Sequence, residues 1–411
     1  MKKILLVVES IDINDSSGSK ANVALIESLH SLGYTINVLH YSRKEIHLQG
    51  VNCISIKERK SNFLYLLSRG QRVFQRICKV DLSIFLENIF GNSFTFFNDS
   101  KSISCSVKEV YKNEDLIITL SKGASFRPHH ALLSLKELHS KWMAYVHDPY
   151  PLQHYPKPYQ EKDKGYKFKN SFFRKVSECA NYSGFPSQLL KEWMGGYYPN
   201  FLKTGIIIPH QKLTTIDAQV IKDKLPSYFD QDKFTLLHAG NLLSGRNPEF
   251  LIKAFNKFQK KTAGAEAHSS LLFIGPAGPF KKLLNEAGEN VVWSQGYVSY
   301  AIVERIQNLV SVNIILEADS EISPFLPGKF PHLVKSNKKI LYLGPNKSES
   351  VRLLGDEYPY KSEIYDVHKI SNHIIELYHL WKKNKELKLD RENLNEYFEP
   401  SFLDRQIKRI L

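Results

Sequence analysis

Repeated alternation of short apolar strands and helical segments is the feature that most constrains the fold of this 411-residue chain. Near the N-terminus, the pattern predicts a strand at Lys3–Val8, a small-residue loop at Asp12–Ser19, a helix over about Lys20–Leu32 and a strand at Thr35–His40. Gly33 follows the helix, where a left-handed C-cap is expected. This β-loop-α-β order is typical of the start of a Rossmann-like domain.

The second half of the chain repeats the alternation. A strand at Phe234–His238 leads through a loop into a helix at Glu249–Lys260, and further strands are expected at Leu271–Ile274, Val312–Leu316 and Ile340–Leu343. The order predicts an α/β protein with two Rossmann-like domains, each a parallel sheet covered by helices. We expect them to occupy residues 1–211 and 212–395, with a C-terminal helix at 396–411 that packs back on the N-terminal domain.

The net charge of +14 narrows the choice of partners, because roughly +10 of it falls before Pro209. Nucleic acid, an anionic membrane surface and a phosphorylated substrate could each explain this bias. The sequence contains neither zinc-finger spacing nor an RNP-type aromatic motif, so no nucleic-acid partner is expected. An anionic membrane surface or an anionic acceptor is favoured.

The sequence also limits the location and the metal chemistry. No apolar run approaches the roughly 20 residues that a transmembrane helix needs. The start, MKKILLVVES, has no small-residue cleavage site after its short apolar run, so it is interpreted as a strand of a cytoplasmic protein. Four cysteines without a Cys-x-x-Cys pair predict neither a zinc site nor a disulfide framework.

A helix predicted over Ser61–Val80 has two different faces. One face is basic, and the other is apolar. The favoured interpretation packs the apolar face on the sheet and leaves the cations solvated, while the alternative places the helix on anionic lipid. The basic residues, proposed as the acceptor or membrane side, are Arg69, Arg72, Arg76 and Lys79; the apolar residues are Phe63, Leu66, Leu67, Phe74 and Ile77.

The segment Glu317–Leu343 is the best candidate for a phosphate site. The strand Val312–Leu316 runs into a polar loop, and a Pro/Gly-rich turn at Ser323–Lys329 then enters a short helical segment that ends at Asn337. Open α/β sheets bind ligands at the carboxyl ends of their strands, where this loop supplies backbone N–H groups and a lysine. Turn chemistry alone is the alternative explanation.

His147 lies at the end of a strand predicted at Lys141–Val146, on the same kind of sheet edge. Its pKa range suits hydrogen bonding or proton transfer, although a histidine here could also only satisfy loop backbone. The first loop, IDINDSSGSK, lacks the Gly-x-Gly-x-x-Gly spacing, which argues against a dinucleotide at this turn and against a nicotinamide oxidoreductase.

Three stretches, GNLLSGRNPEFLIKAF from Gly240, GYVSYAIVERI from Gly296 and SPFLPGKFPHLV from Ser323, resemble the GT-B glycosyltransferases. The resemblance covers nearly the whole chain and is greatest to the retaining family 4 group of bacterial polysaccharide biosynthesis. It implies a cleft between the two domains. It also implies that Gly240, Asn241 and Arg246 contact the donor diphosphate, with Asn241 where the family often has an arginine.

The same resemblance implies that Tyr297 and Val298 lie in the turn that recognises the nucleobase, and that His147 faces the donor sugar. The family usually carries two glutamates with seven residues between them, and here Pro324 and His332 occupy those positions. Glu317 and Glu321 are nearby but out of register. Three residues remain suited to a diphosphate: Ser323, Gly328 and Lys329.

The resemblance implies a hexosyltransferase that moves a sugar from a nucleotide-sugar donor, UDP-linked by preference, to a lipid-linked or polysaccharide acceptor with retention. Arg246 and Lys329 would hold the leaving group, His147 would contact the reacting centre, and no metal or other cofactor is expected. Because the glutamate pair is absent, two alternatives stay open: a catalytically weak relative that binds a glycan or nucleotide, and a nucleotide-sugar epimerase. The enzyme is expected to be cytoplasmic and peripheral to the membrane.

Overall fold

The computed structural model describes residues 2–213 and 224–411. The chain divides into two compact units, and each is an α/β fold with its own parallel sheet, as predicted. The first unit comprises Met1–Tyr155, Gln160–Thr214 and Phe398–Leu411; the second comprises Pro156–Tyr159 and Thr215–Tyr397. The predicted connector, about Lys212–Lys233, falls partly outside the described residues.

The first unit contains a seven-stranded parallel sheet with the order β3-β2-β1-β4-β5-β6-β7. Its elements are β1 (Lys3–Val8), α1 (Ser17–Ser31), β2 (Thr35–His40), β3 (Asn52–Ser55), α2 (Phe63–Cys78), α3 (Ser83–Phe90), α4 (Phe94–Val110), β4 (Leu116–Leu120), α5 (Arg127–Leu133), β5 (Trp142–Tyr145), α6 (Tyr166–Cys179), β6 (Tyr182–Phe185), α7 (Gln188–Tyr197), α8 (Asn200–Thr204) and β7 (Gly205–Ile207).

The second unit contains a six-stranded sheet with the order β10-β9-β8-β11-β13-β15 and a two-stranded sheet of β12 and β14. Its elements and the C-terminal helices are β8 (Phe234–Ala239), α9 (Glu249–Lys261), α10 (Ala265–His268), β9 (Ser269–Ile274), α11 (Lys281–Asn285), β10 (Val291–Trp293), α12 (Tyr300–Leu309), β11 (Val312–Leu316), β12 (Ile322–Ser323), α13 (Phe330–Lys335), β13 (Lys339–Leu343), β14 (Lys347–Ser348), α14 (Glu349–Leu354), β15 (Lys361–Ser362), α15 (Val367–Lys383), α16 (Glu392–Phe398) and α17 (Pro400–Lys408).

Local sequence explains the strand and helix ends near the N-terminus. All five residues of β4 are buried, as expected for a central parallel strand that is covered by helices on both faces. The hydroxyl of Ser16 caps α1 by accepting from Ser19 N at 3.1 Å, so the helix begins three residues before the predicted Lys20. Gly33 has φ of +87°, which confirms the predicted left-handed C-cap.

Several elements of the first unit were not predicted, among them β3, α3, α4 and α6. The serine-rich sequence of α4 gives a weak helical signal, yet Phe96, Ile103 and Val107 are buried along one face of the helix. The edge strand β3 is short and only partly buried. The sequence predicts a helix over Ala131–His139 after β4, but Pro128 starts α5 earlier, and a 3-10 turn follows at Lys136–Lys141.

The helix predicted over Ser61–Val80 is present as α2, but its favoured packing is wrong. Phe63, Leu66 and Ile77 are 71%, 64% and 73% exposed, so the apolar face does not pack on the sheet. Within residues 2–213 and 224–411, we find no helix with the length and apolar character needed to cross a bilayer.

Candidate functional site

The carboxyl edge of the second unit's sheet brings three separate chain segments together. The strands β8 and β11 are parallel neighbours, with Leu237 opposite Asn313, and β11 also pairs with β13. The loop after β8 carries Gly240 and Arg246, whereas the loop after β11 carries Glu317 and leads to Lys329 at the start of α13. Parallel pairing therefore places Arg246 and Lys329, which were predicted to hold the leaving group, at one edge of the sheet.

The ammonium group of Lys329 is held at the ends of the two central strands. Its Nζ donates to the carbonyl oxygens of Ala239 and Ile314, each at 3.1 Å, and lies 3.3 Å from Nδ1 of His238. Burial, and then the charge of Arg246, lowers the pKa of Lys329 to about 7, while Glu317 opposes the change. This lysine can therefore change its charge near neutral pH.

Arg246 and His238 bring further polar atoms to this edge. Burial first, and then the charges of Lys329 and Arg246, hold the pKa of His238 well below its ordinary value, so its ring is neutral. The ring lies close to Lys329 Nζ and to the backbone of Ile314. His238 Nε2 and Arg246 Nε are both buried, and neither has a hydrogen-bond partner among the described residues. Buried polar atoms without a partner are rare in folded proteins, so both atoms are candidates for contact with a ligand.

We name His238, Arg246, Glu317 and Lys329 together the cation cluster. Glu317 is its acidic residue. It is only 5% exposed, and its Oε1 accepts from the hydroxyl of Ser350 at 2.6 Å. Burial raises the pKa of Glu317. Hydrogen bonds from Ser323 and Ser350, and then the positive charges of the cluster, oppose that rise. Glu317 thus balances part of the positive charge.

The other residues predicted to contact the nucleotide-sugar donor differ in their exposure and in their hydrogen bonds. Gly240 has φ of +148°, and a side chain there would lie within 4.0 Å of Lys329 Nζ. Asn241 and Gly328 are exposed. Ser323 is buried, and its hydroxyl is hydrogen-bonded to Glu317.

His332 and the 296–299 turn are held by neighbouring side chains. The hydroxyl of Tyr300 lies 2.8 Å from His332 Nδ1. Val298 packs against the cluster of buried apolar residues that contains Ile306, whereas Tyr297 is 68% exposed. Of the two turn residues, Tyr297 therefore offers the side chain to solvent.

His147 lies at the carboxyl edge of the first unit's sheet. Its Nε2 is 3.1 Å from Oδ1 of Asn22, a fully buried residue of α1. The amide nitrogen of Asn22 donates to the carbonyl oxygens of Ser10 and Ser121, both at 3.2 Å. These two bonds fix the orientation of the amide, so Oδ1 must accept from Nε2–H of His147.

The ring of His147 is uncharged. Burial, and then the neighbouring His210 and His129, hold its pKa well below the ordinary value. The rings of His147 and His210 are nearly parallel, with centroids 6.2 Å apart. Because Asn22 takes Nε2–H, Nδ1 of His147 is left as an acceptor, and it has no hydrogen-bond partner within residues 2–213 and 224–411.

The basic residues of α2 are also at the surface. Arg69, Arg76 and Lys79 are exposed, while Arg72 forms an ion pair with Glu58 at 3.1 Å. The structure describes them within the first unit and the cation cluster within the second. They therefore form a separate feature of the molecule.

The cation cluster can bind an anion and stabilise negative charge that develops on it. A guanidinium and an ammonium of adjustable charge are groups that bind phosphate oxygens. Among the described residues, we find no group of three or more His, Cys, Asp or Glu side chains arranged to hold a metal ion.

Sequence reasoning missed His238 and Asn22, and it set Glu317 aside as out of register. His238 is a polar residue inside an otherwise apolar strand, and Glu317 directly follows a buried strand; both positions could have been flagged as sheet-edge groups. Asn22 gave no local signal, because its role depends on loops that lie 12 and 99 residues away in the chain.

No family model matches the sequence, and neither does any curated protein. Solved structures match over its whole length. TarM has a TM-score of 0.65 and 10% identity, covering 100% of this chain and 98% of TarM. A UDP-forming α,α-trehalose-phosphate synthase from Burkholderia xenovorans has a TM-score of 0.62 and 10% identity, covering 100% and 99%.

The trehalose-6-phosphate synthase OtsA gives the same TM-score of 0.62 at 8% identity, again covering 100% of this chain and 99% of its own. At such low identities these likenesses establish architecture only. The chain therefore has the GT-B fold of two Rossmann-like domains that its sequence motifs predict.

Proposed function

We propose that this protein is a glycosyltransferase that transfers a hexose-type sugar from a nucleotide-sugar donor, UDP-linked by preference, with retention of anomeric configuration. The observation that carries the proposal is the cation cluster, where Arg246 Nε and His238 Nε2 lack partners beside the ammonium of Lys329. The GT-B fold supports the same donor, and so does its likeness to a synthase that is UDP-forming. No metal or other cofactor is part of the proposal.

In this proposal the protein's own groups stabilise the leaving nucleoside diphosphate. Arg246 and Lys329 donate to its phosphate oxygens, and the backbone around Gly240 and Gly328 allows the diphosphate to approach closely. His332 takes the position at which related enzymes hold a carboxylate, and Tyr297 lies beside the base. His147 offers Nδ1 as an acceptor to the donor sugar or the reacting centre.

The acceptor in this proposal is lipid-linked or a polysaccharide, and the enzyme works in the cytoplasm, peripherally at an anionic membrane surface. The positive charge of the N-terminal half and the exposed Arg69, Arg76 and Lys79 support that location. A neighbour solved in complex with glucose-6-phosphate is a further example of this fold with a sugar phosphate bound. Family 4 membership remains part of the proposal.

A donor panel tests the function directly. The protein is incubated with UDP-, GDP-, ADP- and TDP-hexoses and with lipid-linked and polysaccharide acceptors, and nucleotide release and product mass are measured. We expect one UDP-hexose to give an acceptor extended by one sugar. Arg246→Ala should abolish this product, whereas Lys335→Ala, an exposed lysine of α13, should not. Donor binding without product would instead support a binding partner, and isomerised donor without acceptor would support an epimerase.

A further inference from the structure

The helix α2 is inverted relative to an ordinary surface helix. Its buried residues are the polar Ser68 and Gln71, whereas Phe63, Leu66 and Ile77 are 71%, 64% and 73% exposed. Burying such side chains is favourable, so leaving several of them in water is costly. A persistent cost of this kind indicates a surface that is covered in use.

Another helix of the same chain follows the usual rule. In α9, Leu251, Phe255 and Phe258 are buried, and Lys253 and Lys260 are exposed. Both helices are amphipathic and basic, but only α9 turns its apolar face to the core. The inversion is therefore a property of α2 and not of helices in this protein generally.

Specific contacts hold α2 in this orientation. The hydroxyls of Ser68 and Thr95 lie 3.0 Å apart, and Nε2 of Gln71 donates to Ser83 Oγ at 3.2 Å. The Arg72–Glu58 ion pair holds the same side of the helix. Because the polar side chains are bonded to the protein, the apolar ones necessarily point outward.

The exposed apolar surface continues onto α3 and the first turn of α6. Lys169 of α6 is buried and pairs with Glu87 of α3 at 2.9 Å, and this contact joins the two helices. Lys169 also pairs with Asp163 at 2.6 Å. Gly91 also lies directly against Phe168. We name the exposed apolar side chains of this region the apolar face; those of α2 include Phe63, Leu66, Phe74 and Ile77, and those of α3 include Ile84 and Phe85.

Positive charge accompanies the apolar face. Exposed cations lie on α2 and just before and within α6, and they are Arg69, Arg76, Lys79, Lys162, Lys164 and Lys167. Exposed acids in the same segments are fewer, with Asp81 and Glu161 among them. A broad apolar surface bordered by cations matches the two layers of an anionic bilayer, its acyl chains and its headgroups.

We propose that the apolar face inserts into the headgroup–acyl boundary of an anionic bilayer. The cations beside it bind headgroups, so insertion and charge act together. This inference deepens the proposed function, because it gives the mode of membrane contact through which a lipid-linked acceptor would be reached. In the proposed mode, apolar side chains supply most of the binding energy. In the simpler alternative, only the arginines of α2 attract the membrane.

Vesicle flotation with the full-length protein tests the proposal. The vesicles contain phosphatidylcholine alone or with phosphatidylglycerol, each at low and high salt. We expect wild type to prefer anionic vesicles by at least tenfold and to keep part of its binding at high salt. The variant Phe74→Ser/Ile77→Ser/Phe85→Ser should lose at least tenfold at both salt concentrations. Arg69→Gln/Arg76→Gln/Lys79→Gln should lose binding mainly at low salt, where unscreened charge contributes most.

Leu380→Ser is the matched control, because Leu380 is 37% exposed on α15, a helix of the second unit that contributes no residue to the apolar face. Its vesicle binding should equal that of wild type. Wild-type binding by the apolar triple variant would overturn the proposal, as would a lipid-free oligomer that the triple variant converts to monomer, since that result assigns the face to a second copy. Thermal unfolding checks that each variant is folded.

UDP titration separates this inference from the proposed function. The apolar variant should bind UDP as wild type does. Loss of vesicle binding with normal UDP affinity supports insertion, whereas vesicle binding without any UDP affinity would leave insertion standing and contradict the proposed donor site.

Discussion

The carboxyl edges of the two sheets have the same backbone architecture but differ in the charge of their buried side chains. In the second unit, Arg246 and Lys329 converge with a single buried acid, Glu317. In the first unit, the edge carries the neutral His147 and His210, and burial lowers the pKa of His210 to about 4. The same edge also carries the ion pair of Glu9 with Arg127, and it carries Asp148, whose pKa burial raises to about 6. A lysine or an arginine begins with a pKa high enough to keep charge near neutral pH after burial, whereas a histidine does not. The second edge therefore keeps positive charge that suits an anion, and the imidazole pair of the first edge is neutral.

Removing the cations should produce the largest effect on this contrast. Hydrogen bonds to charged groups contribute about 1.5–3 kcal/mol, so Arg246→Ala and Lys329→Ala should each weaken UDP binding by about 10- to 100-fold. His147→Ala should change UDP affinity by less than about twofold, because a neutral acceptor adds little to phosphate binding. Isothermal titration calorimetry with UDP measures all three.

Lys335→Ala provides the control for a lost surface charge, since Lys335 is exposed on α13, the helix that Lys329 begins. If Arg246→Ala and Lys329→Ala bound UDP as tightly as Lys335→Ala does, the cation cluster would not be the diphosphate site.

The next effect is a pH dependence confined to the cation cluster. UDP favours the charged ammonium, so the pKa of Lys329 must be higher in the complex than its value of about 7 in the free protein. The affinity is then full below that value and falls as pH rises, by on the order of tenfold between pH 7 and 8.5. The terminal phosphate of UDP, whose second pKa is about 6, is already ionised over this range.

Calorimetry at three or more pH values between 7 and 8.5 tests this expectation, and proton uptake on binding gives a second readout. Lys329→Met should flatten the profile. An equally steep fall in that variant would assign the titration to another group and contradict the role of Lys329.

Sequence patterns predicted the edge of the second unit better than that of the first. Arg246 and Lys329 belong to short motifs that follow strands, and strand-to-loop order alone places both at the carboxyl edge. Ser323 was predicted as a supporting position of the diphosphate loop, and its hydroxyl bonds to Glu317 where the loop forms the short strand β12. Side-chain partners inside a loop depend on tertiary packing, which local sequence does not specify.

The orientation of α2 shows the same limit from the other direction. Periodicity correctly predicted a helix with two faces, but it cannot decide which face meets the protein. That choice depends on Thr95 and Ser83, which bond to the polar side of α2 from neighbouring helices. The two-domain α/β fold, in contrast, follows from the order of strands and helices and needs no such partner information.

Asn22 offers the finest test of the first unit's edge, with the smallest expected effect on activity. Asn22→Ala removes the acceptor for His147 Nε2–H, so the ring should populate both neutral tautomers and lose its fixed orientation. A lost hydrogen bond of about 1 kcal/mol predicts about fivefold slower sugar transfer with unchanged UDP affinity. Nitrogen NMR of the labelled histidine should report the Nε2–H tautomer in wild type and a mixture in the variant. Asn22→Asp should instead raise the pKa of His147, because a nearby carboxylate favours the imidazolium. A tautomer mixture already present in wild type would show that Asn22 does not position this ring.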